Sequence, residues 1–209
     1  MIGVRSYGKL AEFELDVLKE VGNIGSGHAA TALSTLLNRP VDMAVPKVSL
    51  VPFEEVAERA GGAEQLVVAV FLRVDGDAPG NLFYIMNPVA AKRLLRRLAA
   101  MEVEEDLEYS EMELSALSEI GNILAGSYLS SLADLTRLAL SPSVPAVALD
   151  MAGAVLAYGL MQYGEMGDAA LLVETRFQGD GEEIEGQFFL IPDPDSFPTL
   201  FRSLGVDVP

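Results

Sequence analysis

From Leu15 onward, apolar residues recur at the three- and four-residue spacing that gives a helix one continuous apolar face, through Leu15, Leu18, Val21, Ala29 and Ala32. The same period returns from Leu114 to Leu132, so the pattern predicts long amphipathic helices over about 10–36 and 108–136. After each, the apolar period shortens toward two, which predicts extended segments at Val45 to Val51 and at Val144 to Leu149. Short helices are expected next, near 53–60 and 151–161. Two runs of β-branched and aromatic residues follow, Leu66 to Val74 and Leu82 to Met86, joined by the turn-forming Asp75-Gly-Asp-Ala-Pro-Gly80. Ala170 to Phe177 and Gln187 to Ile191 repeat this arrangement through Gly179-Asp-Gly181, and both pairs predict antiparallel hairpins. Closing helices begin after Pro88, over Val89 to Ala99, and after Pro194, over Ser196 to Leu204.

This order of elements occurs twice because the sequence does. Leu15 to Leu33 (LDVLKEVGNIGSGHAATAL) lies over Leu114 to Leu132 (LSALSEIGNILAGSYLSSL) at a constant offset of 99 residues, which also places Pro46 on Pro145 and Val48 on Val147. Farther on, Gly80-Asn-Leu-Phe-Tyr-Ile-Met-Asn-Pro88 matches Gly186-Gln-Phe-Phe-Leu-Ile-Pro-Asp-Pro194. A tandem duplication with about three strands per half implies an α+β fold. The expectation is one domain over 1–209, built of repeats at about 10–100 and 108–209 that share a six-stranded, largely antiparallel sheet with pseudo-twofold symmetry, covered by the two long helices.

Composition narrows the chemistry. Fourteen Lys and Arg stand against 31 Asp and Glu, a formal charge of −17, and so acidic a field repels nucleic-acid phosphates and anionic lipid headgroups. There is no cysteine, which excludes disulfides, thiol nucleophiles and thiolate metal sites, and His28 is the one histidine. By helical angle His28 falls toward the apolar side, as expected of a packed structural histidine. The span-length, nearly uncharged stretch Val144 to Tyr163 contains Pro145, Asp150, Gly153 and Gly159, so it reads as a buried strand, a turn and a helix. Met1 to Leu10 lacks the apolar core of a signal peptide, and the expected location is cytoplasmic.

At about 100° per residue, Asp16, Glu20, Asn23, Gly27 and Ala30 fall on one stripe of the first helix, opposite the apolar face. Ser115, Glu119, Asn122 and Gly126 form the same stripe on the second. A polar stripe is ordinarily a solvated face, but Gly and Asn inside a helix cost up to about 1 kcal/mol each relative to Ala. Both halves keep Glu, Gly and Asn while the neighbouring Lys19 and Ser118 have diverged. Gly22 and Gly121 lie toward the core and allow close packing. The stripe has no activated nucleophile, strong base or metal cluster. A neutral carboxamide can accept a hydrogen bond from water and donate one to an oxygen without repelling a phosphoryl anion, which suits water positioning when the leaving group is already good.

On Asp16-Glu20-Asn23, Ser115-Glu119-Asn122 and the flanking run from Glu20 to Leu33, the sequence resembles the CheC family of bacterial chemotaxis phosphatases, related to CheX and FliY. The resemblance implies hydrolysis of the aspartyl phosphate of the response regulator CheY, with Asn23 and Asn122 orienting the attacking water and Glu20 and Glu119 engaging the regulator's lysine. It implies no cofactor of the chain's own, with Mg2+ held by the regulator. It also implies a second partner, the receptor deamidase CheD, expected on the short helix of the second half with Asp150 as N-cap and Met151 and Val155 among its contacts. The alternative is a non-enzymatic module that sequesters CheY or CheD, or one that belongs to the flagellar switch. With two repeats filling the 209 residues, the extra rotor domains of FliY-like proteins are not expected, which disfavours the switch reading.

Overall fold

The first long helix, α1 (Glu12–Leu37), stops where Asn38 takes a left-handed conformation and Pro40 follows. Arg137, at the repeat-equivalent position, caps the second, α4 (Glu111–Thr136), in the same way. The computed structural model describes residues 12–104, 106–163, 169–179 and 182–204; positions 10 and 11 of the first expected helix and 180 and 181 of the second hairpin turn lie outside the described residues. Between the long helices come β1 (Asp42–Pro52), a 3-10 turn at Phe53–Glu55, α2 (Val56–Arg59), β2 (Leu66–Gly76), β3 (Gly80–Met86) and α3 (Pro88–Leu98). After α4 follow β4 (Leu140–Pro142), β5 (Ala146–Met151), α5 (Ala152–Tyr163), β6 (Ala169–Gly179), β7 (Glu182–Pro192) and α6 (Ser196–Ser203).

All strand pairs are antiparallel, in the order β1-β6-β7-β3-β2-β4, with β5 also on β2. Neither half has a sheet of its own, because β1 pairs with β6 of the other half and β5 pairs back with β2. At the centre β3 lies against β7 with Phe83 opposite Phe189, two repeat-equivalent residues, so the pseudo-twofold axis passes through this pair. Seven strands replace the expected six because the edge strand equivalent to β1 is interrupted at 143–145, giving β4 and β5. Pro145 has no N–H for a ladder bond, Ser143 instead exchanges bonds with the Arg73 backbone, and Val144 is 88% exposed. Val144 to Leu149 is therefore extended only from Ala146.

Both faces of the sheet are covered, which accounts for the nearly unbroken apolar runs of its inner strands. Val68, Val70, Leu72 and Val74 of β2 point to a core beneath α1, α4, α3 and α6, where Leu18, Leu33, Leu94, Leu117, Leu124 and Phe201 are buried. Val67, Ala69 and Phe71 point the other way, onto α2 and α5, with Phe83, Val155 and Phe189. The span-length stretch is thus β5 followed by α5, and no described helix is long and apolar enough to cross a membrane.

The segment joining the halves is anchored by a buried ion pair. Asn87 caps α3 by accepting from the Ala90 N–H at 2.7 Å, with Pro88 in the first turn. Lys92 of α3 then donates to Glu113 Oε1 at 3.0 Å and to the Glu108 carbonyl, and lies 4.3 Å from the centre of the Tyr109 ring. Glu113 completes a capping box at the start of α4, its Oε2 accepting from the Ser110 N–H at 2.7 Å. Burial alone raises the Glu113 pKa, but the Ser110 N–H, Lys92 and the Ser110 hydroxyl together outweigh burial and hold it below the usual carboxylate range. A carboxylate with a depressed folded pKa contributes stability above its unfolded pKa and loses it as pH falls through the folded one. Acid unfolding is therefore expected to begin at higher pH in Glu113→Gln. Lys92→Ala, which leaves the carboxylate only its two Ser110 bonds, is expected to lose about 1.5–3 kcal/mol at neutral pH in denaturant titrations.

Candidate functional site

Helical period and a shared sheet put the two stripes on the outer sides of α1 and α4. Asp16, Glu20, Asn23 and Gly27 are all exposed on α1, as are Ser115 and Glu119 on α4, while Asn122 and Gly126 are half-buried. On the inner side Leu18, Val21, Ala29 and Leu33 are buried and Leu15 is partly so. Ala32, expected inside, is exposed, because the buried arc of α1 turns toward Leu33 instead.

Glycines let both helices settle deep onto their neighbours. A Cβ on Gly22 would stand 3.1 Å from Val45 Cγ1 on β1, and one on Gly121 only 2.6 Å from Val70 Cγ1 on β2. A Cβ on Gly25 would meet the Tyr128 Cα at 3.1 Å, so α1 and α4 touch backbone to backbone there. That close approach determines where His28 goes. It is exposed rather than packed, beside α4 with its Nδ1 3.4 Å from the Ser131 hydroxyl, since the angular position that seemed apolar faces the gap beside the neighbouring helix.

The two asparagines share a position on the helix but not an environment. Around Val45 and Pro46 the register of β1 against β6 shifts, a bulge that takes the Val45 N–H out of the ladder. That N–H donates to Asn23 Oδ1 at 3.3 Å. The carboxamide is thereby held at its oxygen while its NH2 stays free of partners among the described residues. In the second half the strand is broken at the equivalent place and Val144 faces solvent, so Asn122 has no such donor. The tether was not foreseen from the sequence. Its signal is the proline repeated at 46 and 145, each placed where a strand residue cannot donate.

Ile24, next to Asn23, is 48% exposed, an apolar side chain beside the stripe that amphipathic patterning alone did not single out. The stripes lie on helix surfaces rather than in a cavity. Two roomier grooves, of about 910 and 560 Å3, are lined by other residues, among them Arg59, Asn87 and Arg93 in one and Arg39, Arg97 and Ile184 in the other. A convex, exposed carboxylate–carboxamide pair has no walls to enclose a small substrate, but it can enter a cleft on another macromolecule. Among the described residues no group of three or more His, Asp or Glu is gathered in a way that could hold a metal ion.

At the expected partner helix the structure makes two corrections. Asp150 does not cap α5: it belongs to β5 and its Oδ1 accepts from the adjacent Met151 N–H at 2.7 Å. The first N–H groups of α5 donate instead to the Gln65 and Ala63 carbonyls, from Ala152 and Gly153. Val155 is 3% exposed and packs in the core beneath α5, so it offers no contact surface. Among the described residues around this helix, Asp150, Met151, Ala157 and Tyr158 are exposed, with Tyr158 set edge-on against Phe71.

Comparison with known proteins follows the duplication. Residues 13–50 and again 112–149 match the family described as CheC-like. The chain is 45% identical over 207 residues to the CheY-P phosphatase CheC of Bacillus subtilis (strain 168), covering 97% of this chain and 99% of that relative. It is 31% identical to the flagellar motor switch phosphatase FliY of the same organism over 67% of this chain and 36% of that protein. Among solved structures, Thermotoga maritima FliY superposes with a TM-score of 0.72 at 23% identity, over 94% of this chain and 98% of the other. The middle domain of FliM from H. pylori superposes at 0.67 with 11% identity, over 93% and 99%, so these two share the fold.

Asn23→Ala and Asn122→Ala should differ in stability although they change the same motif position. Each removes an unfavourable helix residue, but only the first leaves the N–H of buried Val45 unpaired. Denaturant titration should place Asn23→Ala about 1–2 kcal/mol below Asn122→Ala.

Proposed function

The chain belongs to the CheC-like family, and we propose that it is a phosphatase of the phosphorylated response regulator CheY, acting in the cytoplasm through the two helix stripes. The observation that carries this reading is the outward-facing Glu–Asn pair, one turn apart at the same place on both long helices, fully exposed on α1 and with Asn122 half-buried on α4, in a chain 45% identical to a CheY-P phosphatase. Asn23 and Asn122 enter the regulator's active site, where each carboxamide orients the water that attacks the aspartyl phosphate. The bond from phosphorus to the aspartyl oxygen breaks, and the regulator recovers its carboxylate as inorganic phosphate leaves. An acyl phosphate is already activated, so positioning and charge stabilisation suffice, and the regulator's Mg2+ supplies the latter. Glu20 and Glu119 pair with the regulator's lysine and fix the depth of entry, with Asp16 and Ser115 flanking them.

The test is phosphate release from CheY-P with catalytic amounts of the protein. Asn23→Ala combined with Asn122→Ala is expected to lower kcat about 100-fold or more with a smaller change in KM, because a water-positioning group acts mainly in the transition state. Wild-type turnover by that double variant rejects the mechanism, and binding of CheY-P without turnover by the wild type favours a sequestering module.

CheD is assigned to the exposed positions beside α5, with Met151, 47% exposed, and Tyr158 as its apolar contacts and Asp150 at the edge. The buried Val155 supports the helix from beneath. Met151→Glu is expected to weaken CheD binding at least tenfold in a titration while leaving basal phosphate release and the melting temperature unchanged. Unaltered CheD affinity would move that interface elsewhere.

A further inference from the structure

Most described glycines have a reason visible in the fold. Those at 22, 25 and 121 are crowded by Val45, Tyr128 and Val70, and Gly76 has a φ of 121° with the Ala139 carbonyl where a Cβ would be. Gly61 and Gly62 also adopt positive φ. Gly27 and Gly126 have neither reason. Both sit inside unbroken helices with no positive φ, and a Cβ built on either meets nothing within 4 Å. The Thr31 hydroxyl bonds to the Gly27 carbonyl at 2.9 Å, but any residue at 27 would supply that carbonyl. Helix-interior glycine is destabilising, so two repeat-equivalent positions carry a cost that folding does not require. Each lies one turn beyond the motif asparagine, about 6 Å farther along the helix axis and on the same stripe.

We infer that Gly27 and Gly126 set how closely the helix surface beside each asparagine can be approached, by leaving bare backbone against which the polypeptide of the phosphorylated regulator rests. This rests on the phosphatase reading above and names residues that determine its partner contact. The Asn carboxamide is short, so its reach into a recessed phosphoryl site depends on how near the helix axis comes to the rim of that site. A side chain one turn away holds the whole helix off. The glycines touch neither water nor phosphate, so they are positioning residues. The clearance is needed equally in the bound ground state and in the transition state, so its loss raises KM and leaves kcat nearly intact.

The experiment compares wild type with Gly27→Ala/Gly126→Ala and with Gly27→Gln/Gly126→Gln. Thermal melts, steady-state phosphate release from CheY-P, and affinity for CheY activated with beryllofluoride are measured on each. The alanine pair is expected to melt higher, by about 2–4 °C per substitution, because helix propensity improves. Its KM and its beryllofluoride-CheY dissociation constant are expected to rise about tenfold, more in the glutamine pair, with kcat within twofold of wild type. Stabilised variants with unchanged KM and affinity overturn the inference and leave the phosphatase reading intact. Variants that melt lower overturn it too, since the glycines would then serve the fold. A fall in kcat at unchanged KM also overturns it. If the wild type binds the activated regulator without turnover, the phosphatase reading fails, and the variants' affinities alone decide the clearance. If the wild type neither binds nor turns over, both fail.

Discussion

The antiparallel seam between β3 and β7 is the contact on which both halves depend. With Phe83 opposite Phe189, both almost fully buried, the seam joins the two hairpins into one sheet. The outer strands then complete each other's half, β1 on β6 and β5 on β2. A single half cut out of this arrangement would lose its edge partner and expose both faces of its hairpin, so the duplication is obligatory for burial. The long helices lie over one face because the even-numbered residues of β2 point at them, and they meet where Gly25 admits the backbone at Tyr128.

That packing explains how two outward-facing polar stripes are held on a rigid support. Each helix is fastened along its inner side by fully buried leucines, and α4 is further anchored at its start by the Ser110–Glu113 capping box and Lys92. The outer side is then free to carry residues that do little for stability. Precise placement on helices, rather than on loops, suits chemistry that consists of delivering a carboxamide to another protein's active site. The symmetry is incomplete at the sheet edge, where a bulge in β1 gives Asn23 a backbone tether and the break between β4 and β5 leaves Asn122 without one.

Several features were legible in the chain because they are local. The helix and strand periods, a closing helix beginning at about Pro88 and the paired Glu–Asn motifs follow from neighbours within a few residues, whereas the Asn87 cap of α3 came only with the structure. Errors arose where a side chain's surroundings come from elsewhere in the fold. His28 has an apolar helical angle but faces the space beside α4 near Ser131. Asp150 stands where a helix cap is expected, yet the start of α5 is satisfied by carbonyls from Ala63 and Gln65, far away in sequence. Val155, expected among the partner contacts of a short helix, is roofed by the second core.

By itself, then, the sequence determined the duplication, the identity of the elements and the residue types of the stripe, since periodicity and spacing are set by backbone geometry and by the need to bury one face. Tertiary structure alone decided which strands pair across the halves, where the second edge strand breaks and which glycines are crowded. A glycine at 22 and a glycine at 27 are the same residue in the same helix. Only the atoms brought in by β1, Val45 against the first and nothing against the second, distinguish packing from an open surface.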